Sequence, residues 1–174
     1  TADVAALAGS LRDAQGVAFV PAFSGLGSPW GDPRARGTIV GLTRGSGRAQ
    51  LARAAVEAIA YQTRDVVDAM SAAAGGPLTE LRVDGEAATL DLLLQIQADQ
   101  LRAPVSRAAP RDSPAVGAAL LAGLAEGVWS SVDEVAGFWP AEASFEPRAP
   151  QSVADDRHAT WRRAVERSRR WSRL

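Results

Sequence analysis

The residues best arranged for chemistry lie between Leu81 and Gln95. The run Leu81-Arg82-Val83-Asp84-Gly85-Glu86-Ala87-Ala88-Thr89-Leu90-Asp91-Leu92-Leu93-Leu94-Gln95 is apolar and β-branched up to Asp84-Gly85, and apolar residues then recur at Leu90, Leu93, Leu94 and Leu101. That pattern predicts a strand, a tight turn and a helix. A helix starting at such a turn presents unpaired backbone N–H groups at its positive dipole end, and a glycine lets a ligand approach the main chain. The corner therefore suits a phosphate or nucleotide, although the same corner serves as a plain connection in any α/β protein. No catalytic constellation assembles elsewhere. His158 is the only histidine and stands in an arginine-rich stretch without a carboxylate pattern for triad or metal chemistry, so it reads as a surface residue. Asp32, Asp84 and Asp99 fall in different predicted elements and lack the spacing of a general acid–base pair.

Composition limits the function classes. The chain has 174 residues, 47% hydrophobic and 22% charged, enough for one globular domain with a core. All 19 basic residues are arginine, set against 20 acidic ones for a net charge of −1, which argues against a dedicated nucleic-acid binder. The absence of cysteine removes disulfides, thiolate metal sites and a cysteine nucleophile, and fits a reducing compartment. No signal peptide and no apolar run of bilayer length is present. The first residue is Thr1 rather than methionine, which reads as a piece of a longer or processed chain.

The elements that must position the corner can be read in order. Residues 2–12 form a short helical candidate, and residues 17–20 a strand. Residues 21–36 follow as a loop in which six of sixteen are proline or glycine, the mark of a functional segment, an interface or a surface Ω-loop. Thr38-Ile39-Val40 is a second strand. From Arg48 to Met70 the pattern is helical, with an apolar stripe at Leu51, Ala55, Ile59, Val66 and Met70, and Gly75-Gly76-Pro77 stops it. Gln62 falls on that stripe, so its amide is expected to be buried against a carbonyl of the 21–36 loop. Ala103-Pro104-Val105-Ser106 reads as an edge-like strand. Ser113-Pro114 opens a helix to Gly127, with serine as N-cap. The small residues Ala115, Gly117, Ala118, Ala119 and Ala122 leave one face for a ligand or another helix, where a bulky residue at Gly117 would clash. Ser131 caps a short helix, and residues 140–153 look like a surface linker. A last helix over 154–172 sets Trp161, Val165, Ser168 and Trp171 against a solvated arginine face. A nucleic-acid or membrane-surface role for that helix is the alternative.

Several of these segments together resemble a known family. Phe19-Val20-Pro21-Ala22-Phe23-Ser24-Gly25-Leu26-Gly27-Ser28-Pro29 and Asp32-Pro33-Arg34-Ala35-Arg36-Gly37-Thr38-Ile39-Val40-Gly41-Leu42-Thr43-Arg44 are similar to the C-terminal domain of the FGGY carbohydrate kinases. The spacing from Gly37 through Gly41-Leu42 and Gln50-Leu51 to Ala54-Ala55-Val56-Glu57 fits that family's second signature. Ala60-Tyr61-Gln62-Thr63-Arg64-Asp65-Val66, Leu81 to Gly85, Gln95-Ile96-Gln97-Ala98-Asp99 and Val116-Gly117-Ala118-Ala119 extend the match. Gly25-Leu26-Gly27-Ser28-Pro29 resembles the glycerol kinase form of the loop, where xylulose and gluconate kinases usually carry Gly-Glu-Arg.

The resemblance implies an α/β fold: the C-terminal ribonuclease H-like domain of the actin-like ATPase fold, incomplete because the N-terminal strands are missing. It makes residues 1–174 one nucleotide-binding domain, with 17–150 as its core and 154–172 as a C-terminal helix. The implied function is part of an ATP-dependent glycerol kinase, with ATP or ADP and Mg2+ as cofactors, glycerol as substrate, a cytoplasmic setting and a homo-oligomeric full-length enzyme without nucleic-acid or membrane partners. Another FGGY sugar or polyol kinase, or a non-catalytic remnant that binds a partner, are the alternatives. The nucleotide-binding positions carried over are Gly85, Glu86 and Leu90. Family members have a second glycine where this chain has Glu86, and a nucleotide-bonding asparagine where it has Leu90; Asp91 stands at a second asparagine position. No residue here takes a catalytic or metal-binding role, because the family's catalytic aspartate, glycerol contacts and phosphate-binding hairpin precede the matched region.

Overall fold

The computed structural model describes residues 2–109, 113–137 and 140–172. Helix α1 (Ala2–Gly9) leads to β1 (Ala18–Val20), which pairs antiparallel with β2 (Thr38–Val40), Phe19 lying opposite Ile39. The loop between them is ordered by its own backbone: Leu26 and Asp32 exchange N–H···O bonds of 2.8 and 2.9 Å. Gly25 has φ 100°, and a Cβ there would sit 2.7 Å from the Pro33 backbone, so the chain can cross itself only at a glycine.

Helix α2 (Arg48–Ala74) starts where Gln50 Oε1 accepts the Gly47 N–H at 2.9 Å. It ends at Gly75, φ 74°, whose N–H donates to the Ser71 carbonyl, as the glycine pair required. Its inward face differs from the expected stripe. Leu51, Ile59, Val66 and Met70 are exposed and Ala55 is half-buried, while Ala54, Ala58, Ala60, Tyr61 and Asp65 point inward together with the Arg53–Glu57 pair. Alanines let neighbouring helices approach the axis closely, and the buried guanidinium is neutralised by Glu57 at 2.7 Å, so size and polarity alone point to the wrong face. Gln62 is accordingly only half-buried, and no carbonyl of the 21–36 loop accepts from it among the described residues.

Strand β3 (Leu81–Val83), a 3-10 turn (Glu86–Thr89), helix α3 (Asp91–Leu101) and β4 (Val105–Ala108) form a parallel β-α-β unit, with Leu81 opposite Val105. Strand β5 (Ala141–Phe145) pairs antiparallel on the far side of β4. The order β3-β4-β5 makes β4 the central strand, not an edge, and places a strand inside the expected 140–153 linker. Pro104 misled because it lies just outside the ladder, where its carbonyl accepts the Leu81 N–H at 2.9 Å. The small residues of β5 gave little periodic signal.

Helix α4 runs Ser113–Ala125 and α5 Val132–Ala136. The capping role read for the Ser113 side chain lies outside the described residues, whereas Ser131 Oγ accepts the Glu134 N–H at 3.2 Å as expected. A Cβ at Gly117 would meet nothing within 4 Å, so the expected clash there does not exist. The final helix α6 (Gln151–Ser168) inserts Trp161 and Val165 among Val20, Ala22, Leu26, Ala35, Ala58 and Tyr61. Trp171 lies past its end and is exposed, because the helical period stops at Ser168.

Candidate functional site: the corner after β3

Three strand residues feed the corner, and Gly85 turns it with φ 87° and ψ −178°, a backbone state that side chains avoid. Nothing lies within 4 Å of a Cβ built on Gly85, so the main chain faces open space. The α-helix does not begin there, as the apolar spacing implied. Glu86–Thr89 coil as a 3-10 turn, Leu90 is extended at φ −91° and ψ 96°, and α3 starts at Asp91. The helix dipole therefore points from beyond Leu90, and what Gly85 offers is backbone access rather than an anion site at a helix end.

Two cavities flank the 3-10 turn. The smaller, about 70 Å³, lies between Gly85, Ala88, Thr89, Arg107 and Glu142. The larger, about 710 Å³, is an apolar slot walled by Val4 of α1, Ile59 of α2, and Glu86, Leu90 and Leu93. All three predicted positions thus gather on one feature: Gly85 opens the small cavity, while Glu86 and Leu90 line the slot.

Arg107 organises the small cavity, and nothing in the sequence singled it out. From the central strand its Nη1 reaches Asp91 Oδ1 at 2.7 Å and the Ala88 carbonyl at 3.1 Å, its Nε lies 3.6 Å from Glu142 Oε2, and its guanidinium carbon lies 5.8 Å from the Phe145 ring centroid. It holds the turn, the start of α3 and β5 to one side chain. Asp91, at the family's second asparagine position, thus has one carboxylate oxygen engaged by Arg107. The corner fits a nucleoside: an apolar slot of ligand size adjoins a glycine with open space before it, and the buried Arg107 Nε lacks a hydrogen-bond partner beside the small cavity. Among the described residues no group of three His, Cys, Asp or Glu is placed to hold a metal ion.

A second polar centre lies away from the corner, and the expectation of a surface His158 fails there. His158 is buried, and its Nε2 lies 2.8 Å from Asp65 Oδ1. Asp65 Oδ2 accepts from Trp161 Nε1 at 2.8 Å and Trp30 Nε1 at 3.0 Å. One carboxylate from α2 thus joins α6 to the 21–36 loop. A signal was present: His158 precedes Trp161 by three residues, on the same face as Val165 and Ser168. The end of α6 is tied to the same loop, where Asp32 Oδ2 accepts the Arg170 N–H at 2.8 Å and the Arg36 N–H donates to the Ser168 carbonyl at 3.2 Å.

A mixed α/β chain with this corner and this loop belongs to the FGGY family of carbohydrate kinases: the sequence profile of the family's C-terminal domain matches residues 1–126. Its curated relatives include glycerol kinases. It is 56% identical over 169 residues to the glycerol kinase of Aromatoleum aromaticum, covering 97% of this chain and 34% of that protein. It is 54% identical over 173 residues to that of Bordetella pertussis, covering 99% and 34%. Among solved structures, Plasmodium falciparum glycerol kinase with ADP superposes with a TM-score of 0.87 at 30% identity, over 99% of this chain and 34% of that one. Xylulose kinase from Rhodospirillum rubrum superposes with a TM-score of 0.76 at 27% identity, over 93% and 33%. The fold is thus the C-terminal part of the actin-like ATPase fold, and the chain spans about a third of the length of the curated relatives it matches. No helix among the described residues is long and apolar enough to cross a membrane.

Proposed function

We propose that residues 1–174 are the nucleotide-side domain of an ATP-dependent glycerol kinase. The observation that carries this reading is the Gly85 corner, open at its backbone and flanked by a nucleoside-sized apolar slot, in a chain whose curated relatives are glycerol kinases. When bound, ATP supplies the phosphoryl group that glycerol receives. The residues of this chain bind and orient: Leu93 and Ile59 give the base an apolar wall, Gly85 lets the ribose side approach the main chain, and Arg107 keeps the turn in place. Mg2+ and glycerol are assigned to the rest of the enzyme, which is cytoplasmic and homo-oligomeric in this reading.

The test is calorimetric titration of ADP and of ATP with Mg2+ into the complete protein, together with glycerol-dependent ATP consumption. Saturable binding and turnover are expected. Glu86 is exposed, so its repulsion of a polyanion is mild, about 1 kcal/mol, and Glu86→Gly should tighten ADP by about fivefold. Adding Leu90→Asn should tighten it further. Another FGGY sugar or polyol kinase is distinguished by the substrate consumed. A non-catalytic remnant is the second reading, favoured by the combination of Glu86 and Leu90; failure of the natural protein to bind either nucleotide would select it.

A further inference from the structure

The corner does not hold its own shape. Gly85, at φ 87° and ψ −178°, is in a state that side chains avoid, and a glycine resists leaving it less than any other residue would. The bonds that close the Glu86–Thr89 turn, from the Ala88 N–H to the Gly85 carbonyl and from the Leu90 N–H to the Ala87 carbonyl, are 3.2 Å each, and a 3-10 piece of this length is weak by its own geometry. Glu86, Ala87 and Thr89 are exposed. Ala88 is the buried residue of the turn, its methyl among Leu94, Ala98 and Val105, and its carbonyl accepts from Arg107 Nη1 at 3.1 Å. The turn is therefore moored at one residue, by a methyl below and by Arg107 at the carbonyl.

Arg107 is rigid where the turn is not. Its backbone lies on the central strand, opposite Val83 of β3 and Ala143 of β5, and its side chain is 16% exposed, with the guanidinium beside the Phe145 ring and Glu142 of β5. The ion pair with Asp91 is screened by water, since the Asp91 side chain is 71% exposed, so the contact with the Ala88 carbonyl is the one that matters for the turn. We propose that Arg107 is a positioning residue for the nucleotide: through the Ala88 carbonyl it keeps the Gly85 main chain presented and open, and it makes β5, which has no residue in the apolar slot, a determinant of nucleotide affinity. A site held in its binding shape before the ligand arrives loses less freedom on binding. The inference rests on the reading of the corner as a nucleotide site and adds the side chain that preorganises it.

The test is titration of ADP into the complete protein and into Arg107→Met and Arg107→Lys, with KM measured separately for ATP and for glycerol and a melting curve for each variant. Methionine keeps an unbranched apolar stem against Phe145 and removes the donors, whereas lysine returns a charged donor without the planar fork. Arg107→Met should weaken ADP and raise KM for ATP by about tenfold, the worth of one hydrogen bond from a charged donor, and leave KM for glycerol unchanged. Arg107→Lys should recover part of the loss. A merely structural defect would not separate the two KM values or be rescued by lysine. Natural affinity for ADP in Arg107→Met, or the two KM values rising together, overturns the proposal alone. Should Arg107→Met fail to fold, Arg107→Lys decides: weaker ADP binding with an unchanged KM for glycerol supports the proposal, and natural affinity overturns it. Failure of the natural protein to bind ADP overturns the nucleotide reading and the proposal with it.

Discussion

At Asp65, burial by itself raises the carboxyl pKa, but hydrogen bonds from His158, Trp161 and Trp30 outweigh it and hold the group below the ordinary carboxylate range. A carboxylate depressed in the folded state stabilises the fold above its unfolded pKa, and that contribution is lost as pH falls through the folded one. Acid should therefore destabilise the chain below about pH 4, near the unfolded aspartate pKa. Asp65→Asn keeps the shape but turns an acceptor into a donor facing ring N–H groups, and should cost about 3 kcal/mol. Urea denaturation of both proteins at pH 7 and pH 3 checks this: the gap should narrow in acid. An equal gap at both pH values would show that the charge of Asp65 contributes nothing.

At the scale of elements, the helices divide by how much of their surface this chain covers. Helix α6 is tied down by Asp65 at His158 within its buried stripe and by Asp32 at the backbone of Arg170 just past its end. Helix α4 is the opposite case, since most of its residues are exposed and Gly117 faces empty space. Removing glycine's backbone freedom in a helix gains up to about 1 kcal/mol when no clash opposes it, so Gly117→Ala should raise the melting midpoint of the 174-residue chain. A lowered midpoint would mean that the small-residue face is packed after all.

Across the whole molecule, the large apolar side chains left outside include one row along a single helix. Leu51, Ile59, Val66 and Met70 follow one another along α2, with Val4 of α1 beside Ile59, and β3 has one unpaired edge among the described residues. Contiguous exposed hydrocarbon and an open strand edge favour association. The 174-residue chain by itself should self-associate at micromolar concentration, as measured by light scattering after size exclusion. Replacing Ile59, Val66 and Met70 with glutamate should shift it toward monomer; a monodisperse parent with a cooperative melt would contradict the expectation.

The sequence by itself determined the punctuation and the family. Gly75, Gly85, Ser131 and the proline-rich loop act through local backbone chemistry, so their effects could be read from neighbouring residues, and the motif residues from Phe19 to Arg44 carried the kinase resemblance. Tertiary structure alone decided which helix face turns inward, because burial of Ala54, Ala58 and Asp65 depends on how closely distant elements approach. It decided that the strand after Leu101 is central, because its second neighbour comes from residues about forty positions later. It also brought Asp65, His158 and Trp30 together and set Arg107 against Asp91: charges and donors far apart in the chain choose partners only when folding removes water from between them.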